Sequence, residues 1–229
     1  MTIHEIAERL PSISTLRERC QALAALDIVR SPHPAPHGRR ERMFLPEWRT
    51  RVCAATLRTD DGDGYLIVFT CYGALALGFD RGSPMSPYAH TPPRPWPGVL
   101  DQVPAVFAPY LAEPPDFLAA EVPLVTACAW RTADDVRWRT GDGITFPGAH
   151  HEPDGAARLF ALLLDPDPAA YVRARHDPKA PDAGPPQDAV REAYALRPLT
   201  RETVRALNPD APFEAVTAEL RRIGYPVAG

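Results

Sequence analysis

The alternation of hydrophobic and polar positions divides the chain into helix-period ends and a strand-period middle. Thr2-x-x-Glu5 has the form of a capping box, and Ile3, Ile6 and Leu10 follow on one face. This predicts a short helix stopped by Pro11. Ile13, Leu16, Cys20, Leu23 and Leu26 then recur at spacings of three and four. With Ser12 or Ser14 as cap, they predict a second helix of about four turns.

From Trp48 the period shortens. WRTRVCAATLRT and YLIVFTCYGALALGF read as β-rich runs joined by Asp60-Asp-Gly-Asp-Gly64, and Asp-Gly there signals a hairpin. The second run is apolar almost without a break, which predicts one central strand buried on both faces. Leu124–Arg131 and Val136–Phe146, separated by residues 132–135, predict a second hairpin.

Helical spacing returns in Gly155–Leu164 behind an Asp154 cap, then in Ala169–His176, Ala189–Ala195, Thr200–Leu207 and Pro212–Ile223. SPHPAPHGRRER at 31–42 reads as an exposed loop, and DPKAPDAGPP at 177–186 as a linker. The expected architecture is a single α+β domain over residues 1–229. It has N-terminal helices, an antiparallel sheet of about four strands, and C-terminal helices packed on one face or end. Residues 187–229 form a candidate small helical subdomain.

Composition adds limits. Hydrophobic residues make up 45% of 229, enough for a real core. Basic residues number 25 against 29 acidic, which argues against a nucleic-acid partner. All the basic residues but Lys179 are Arg, in a chain rich in Ala, Pro and Asp. That bias reads as GC-rich coding, not as phosphate recognition. Charge is uneven: residues 1–60 hold ten Arg against seven acids, and residues 101–200 hold nine basic against fifteen acidic. The asymmetry permits a dimer or a basic partner. MTIHEIAERL has no apolar signal region, and no run of about 18 apolar residues exists, so a cytoplasmic protein without a membrane partner is expected. Cys20, Cys53, Cys71 and Cys128 form no C-x-x-C pair and are expected to be buried, reduced thiols.

Candidate chemistry is sparse. His150-His151-Glu152-x-Asp154 holds metal-capable side chains without the H-E-x-x-H helical spacing, so it reads as a polar loop with a helix cap. The acids at 60–63 lack the alternate-position pattern and terminal Glu of a calcium loop. Ser83 and Ser86 lie in Gly-Ser-Pro-Met-Ser-Pro, which is not a nucleophile elbow. Glycine-rich phosphate cradles are missing. No metal or cofactor is expected.

That leaves Gly78 to Tyr110, an irregular stretch dense in Pro, Gly and aromatic residues. Long loops without regular structure tend to carry function. Arg81, Tyr88, Arg94 and Trp96 are the residue types that dominate binding hot spots, and prolines lower the cost of ordering them. The bland reading folds these aromatics back onto the sheet. The leading expectation is a non-enzymatic interaction protein, immunity-like or regulatory, working through these four residues on a protein partner or a second copy. The alternative is a hydrolase-type enzyme with a site between loop and sheet, using Asp101, Asp134 or Asp135 with His150 or His151.

The combination GFDRGSPMSPY, PWPGVLDQVP, TACAWR, ALRPLT, ALNPDA and IGYP resembles a family of uncharacterised, actinobacterial-type bacterial proteins, from about Trp48 to Pro226. The resemblance implies a family label and brings no reaction, cofactor or catalytic residue. In size, charge and class the chain is also similar to small bacterial immunity-type proteins, which bind a toxin.

Overall fold

The structure, a computed structural model, describes residues 1–32, 40–148, 150–175 and 184–227. Helix α1 (Ile3–Arg9) starts as its sequence predicts, with the Glu5 carboxylate accepting the Thr2 N–H at 2.7 Å. Helix α2 (Ile13–Arg30) is capped by Ser12, whose hydroxyl accepts the Thr15 N–H at 3.2 Å. Its apolar stripe of Leu16, Cys20, Leu23 and Leu26 is buried throughout.

The sheet is an antiparallel meander in the order β1 (Arg42–Arg49), β2 (Val52–Arg58), β3 (Gly64–Thr70), β4 (Gly73–Phe79), β5 (Ala127–Thr132). It has five strands because the 65–79 run folds in the middle and residues 42–49 add a strand ahead of the 48–59 run. The 65–79 run, expected as one strand, turns at Cys71-Tyr72 and pairs with itself from Gly64↔Phe79 to Thr70↔Gly73. The 48–59 run turns at Thr50-Arg51, and β1 begins at Arg42, inside the stretch expected to be loop. A continuous apolar run carries no periodicity that would show a two-residue turn. The Asp-Gly hairpin forms as expected, closed by Thr59 N–H on the Asp63 carbonyl at 2.9 Å.

The strand expected over Val136–Phe146 is reduced to one bridge: Trp130 and Arg139 exchange both backbone bonds, at 2.9 and 2.7 Å. Trp138 is buried instead, and its indole N–H donates to the Pro11 carbonyl at 2.7 Å.

The other helices are α3 (Ala108–Ala112), α4 (Ala156–Leu164), α5 (Pro168–Ala174), α6 (Gln187–Tyr194), α7 (Arg201–Leu207) and α8 (Phe213–Arg222). The described residues thus make an α+β fold with the expected order of helices, sheet and helices. The expected loop at 31–42 and the linker at 177–186 fall largely outside the described residues, as does His176. None of the described helices is long and apolar enough to cross a membrane.

Cross-strand partners share a face, so register assigns the two sides of the sheet. Leu57, Tyr65 and Gly78 face the helices: Tyr65 stacks on Phe160 of α4 at 5.8 Å, and Gly78 lies against Leu159 and Phe160. Gly64 and Phe79 face the other way, toward Phe117 and Tyr88. That second face is covered by the irregular segment 80–125, which inserts Met85, Val99, Phe107 and Leu118, all 0% exposed. The molecule is therefore helices, sheet and irregular layer. Helices α6, α7 and α8 extend the helical layer around α2. Gln21 of α2 donates to the Ile223 carbonyl at 2.8 Å, and Asn208 to the Val29 carbonyl at 2.9 Å. The thiols divide: Cys20 and Cys128 are buried as expected, Cys53 is half-buried, and Cys71 is exposed because it stands in the β3–β4 turn.

Candidate functional site

The 78–110 segment is ordered by backbone capping. Asp80 accepts Gly82 N–H at 2.9 Å, and Ser83 donates to the Pro153 carbonyl at 2.5 Å while accepting Met85 N–H at 2.9 Å. Its four singled-out residues do not converge on one point. Arg81 sits 5.9 Å over the Tyr88 ring, and both are exposed beside an ion cluster in which Arg158 bridges Asp63 and Asp80 at 2.7 and 3.1 Å. Arg94 is exposed, with no hydrogen bond or ion pair among the described residues. Trp96 is half-buried, 5.6 Å from the His90 ring, and its indole N–H donates to the Thr145 carbonyl at 3.0 Å. Neither acid bracketing the segment pairs with an arginine inside it: Asp80 holds Arg158, and Asp101 accepts Gly98 N–H at 3.0 Å.

Trp96 begins a line of contacts that docks residues 96–102 onto residues 141–145. Gly98 is left-handed (φ +87°), and a Cβ there would lie 2.7 Å from the Gly143 carbonyl carbon. Gly141 faces it so closely that a Cβ would meet Gly98 O at 1.8 Å. Gln102 then accepts Asp142 N–H at 2.8 Å. The line ends at a cleft of about 810 Å³ along the outer edge of β5. Its walls are α1 (His4, Glu8), the loop (Gln102, Pro104), β5 (Trp130, Thr132) and residues 135–142. The irregular layer thus builds one wall of this cleft.

The charged groups differ in how firmly they are held. Asp135 accepts Thr132 N–H and hydroxyl at 3.0 and 2.7 Å and the Arg139 Nε at 2.6 Å. The Thr132 hydroxyl, then the backbone N–H and Arg139, hold its carboxyl below the usual carboxylate range against a smaller cost of burial. Both its oxygens serve the turn after β5. His4 Nε2 stands 3.0 Å from the Gly141 carbonyl, which can only accept, so Nε2 carries a proton and donates it there. The His4 ring also packs edge-on to Phe146 at 5.1 Å. Glu8, Arg137 and the Asp142 carboxylate are exposed and unpaired among the described residues.

Of the acid–histidine set, only Asp135 lines this cleft. Asp101 and Asp134 are exposed, and His150 and His151 lie outside it; the His151 carbonyl accepts the chain's amino terminus at 3.3 Å. Asp154 is fully buried and accepts the first N–H of two helices, from Ile3 at 2.6 Å and from Ala156 at 3.0 Å. Among the described residues, no three His, Cys, Asp or Glu side chains gather as metal ligands. The thiols of Cys20 and Cys128 are pushed far up by burial and are not nucleophiles.

His4, Glu8, Gln102, Arg137 and Arg139 escaped the sequence reading. His4 and Glu8 do stand at i and i+4, on one face of α1. Nothing local shows that this face meets β5, because the contact spans more than a hundred residues. Comparison with protein-family models, curated proteins and solved structures gives no match.

Proposed function

We propose that the protein is a non-enzymatic binding module whose ligand is a polar, mixed-charge segment of a partner protein, received in the β5-edge cleft. The supporting observation is the cleft's lining: a volume of about 810 Å³ whose exposed cations and anions, Arg137, Glu8 and Asp142, are unpaired. Its best-held carboxylate, Asp135, is occupied with the turn. Unpaired charges of both signs above aromatic walls suit recognition of a charged peptide. In this reading Trp96 positions Gln102, while Arg81, Tyr88 and Arg94 form the outer surface of the same layer.

The test is photo-cross-linking from position 102 in lysate of the source cells, with Gln102 replaced by a photoreactive residue. A defined adduct is expected, reduced at least tenfold by Arg137→Glu in a protein of unchanged melting temperature. An adduct insensitive to Arg137→Glu and Glu8→Arg, or none, would overturn the assignment.

A further inference from the structure

The orientation of one side chain in the β5-edge cleft is set by hydrogen-bond chemistry. Gln102 Oε1 accepts the Asp142 N–H at 2.8 Å. A backbone N–H can only donate, so the oxygen of the amide is committed to Asp142 and its NH2 is left over. That NH2 has no partner among the described residues, and Gln102 is exposed on the cleft wall. The backbone beneath it is fixed from both sides. Asp101 accepts Gly98 N–H at 3.0 Å, and the Leu100 carbonyl accepts Val103 N–H at 3.2 Å. The Trp96 indole and the close approach of Gly98 to Gly141 hold the same stretch on residues 141–145. A donor already held in place loses little freedom when it binds.

A second donor without an ion pair among the described residues lines this cleft, the exposed Arg137 guanidinium, whereas Arg139 is committed to Asp135. Neither an amide NH2 nor a guanidinium accepts hydrogen bonds, so both require an oxygen acceptor, and a charged one makes the stronger bond. Asp135 does not compete for them, since Thr132 and Arg139 take its two oxygens. Glu8 and Asp142, the unpaired anions of the cleft, then fall to a basic residue of a mixed-charge segment.

We propose that Gln102 is a specificity-determining residue of this cleft, its NH2 donating, together with Arg137, to the side-chain carboxylate of an aspartate or glutamate in the bound segment. This role rests on the cleft being the binding site proposed above, and adds the chemistry of one recognised residue. The test is an NMR titration of the isotope-labelled protein that follows the Gln102 NH2 pair and the backbone amides of the cleft. The probes are acetyl-aspartate N-methylamide, its asparagine counterpart, and acetyl-alanine, which carries only a terminal carboxylate. Saturable shifts of the Gln102 NH2 pair are expected with the aspartate probe, at an affinity at least fivefold above that of the asparagine probe. Gln102→Glu keeps an oxygen for the Asp142 N–H and removes the NH2. It is expected to weaken binding at least fivefold, with the Asp142 amide resonance and the melting temperature unchanged. Gln102→Met, which is neutral, is expected to weaken it as well, so repulsion alone does not account for the loss. Aspartate-probe shifts at the cleft amides that leave the Gln102 NH2 pair unmoved, or an affinity indifferent to both substitutions, would overturn this role and leave the cleft reading standing. Equal affinity for the asparagine probe would overturn it, and so would tighter binding of acetyl-alanine, which would assign the site to a chain terminus. No saturable shift with any probe would also overturn it. The cleft reading would then stand or fall on the cross-link from position 102, whose covalent capture does not need the full affinity.

Discussion

At the scale of single residues, two aspartates show how burial and partners set opposite directions. Burial pushes the Asp154 carboxyl up, while the N–H groups of Ala156 and Ile3 pull it back. Asp135 is drawn below the ordinary carboxylate value by Thr132 and Arg139. A carboxylate with a depressed folded value stabilises fully above its unfolded pKa of about 4, and loses that contribution as pH falls through the folded value. Asp135→Asn is therefore expected to cost about 1 kcal/mol at neutral pH, with the gap to wild type closing as pH falls below the unfolded value. Urea melts at pH 7 and near pH 3 would check this, and a gap that stays constant would refute it. The sequence expectation of Asp154 as the cap of α4 is shifted by one residue: the cap is Gly155, and Asp154 before it accepts the Ala156 N–H. Its bond to α1 was not legible, because Ile3 lies 151 residues away.

At the scale of elements, capping chemistry was readable and strand turns were not. Ser12, Glu5 and Thr200 stand where their helices start, Thr200 accepting Thr203 N–H at 3.1 Å. Those signals lie within four residues of the backbone they satisfy. The β1–β2 turn depends instead on a left-handed backbone at Arg51 (φ +60°), and arginine carries no residue-type signature for it. A non-glycine residue there costs about 1–2 kcal/mol, and glycine gives back about 0.5–1 through chain entropy. Arg51→Gly should therefore raise stability by about 0.5 kcal/mol. Differential scanning calorimetry would show a higher melting temperature, and a lower one would mean that the Arg51 side chain is worth more than its strain.

At the scale of the whole molecule, one buried ion cluster ties the helical layer to the sheet. Asp27 of α2, only 3% exposed, faces Arg42 of β1 at 3.5 Å and Arg175 after α5 at 3.4 Å, and Arg175 also holds Glu41 at 2.6 Å. Burial pushes Asp27 up even against those cations. The class α+β and the order of helices and sheet were legible in hydrophobic period. The layering was not, since period shows that β3 and β4 are buried on both faces but not that irregular chain covers one of them.

That cover has a consequence for the life of the protein in solution. Gly64–Thr70 and Gly73–Phe79 are proline-free and carry no formal charge within either strand, and together they have the composition of segments that stack into cross-β aggregates. The irregular layer is their shield on one side. Cleavage by a protease between Tyr88 and Trp96, where the chain is exposed at His90 to Arg94 only in part, is expected to be followed by thioflavin-positive precipitation. A nicked chain that stayed soluble and monomeric by light scattering would show that the helices alone suffice. On this view the prolines of the segment guard solubility, whatever else the layer binds.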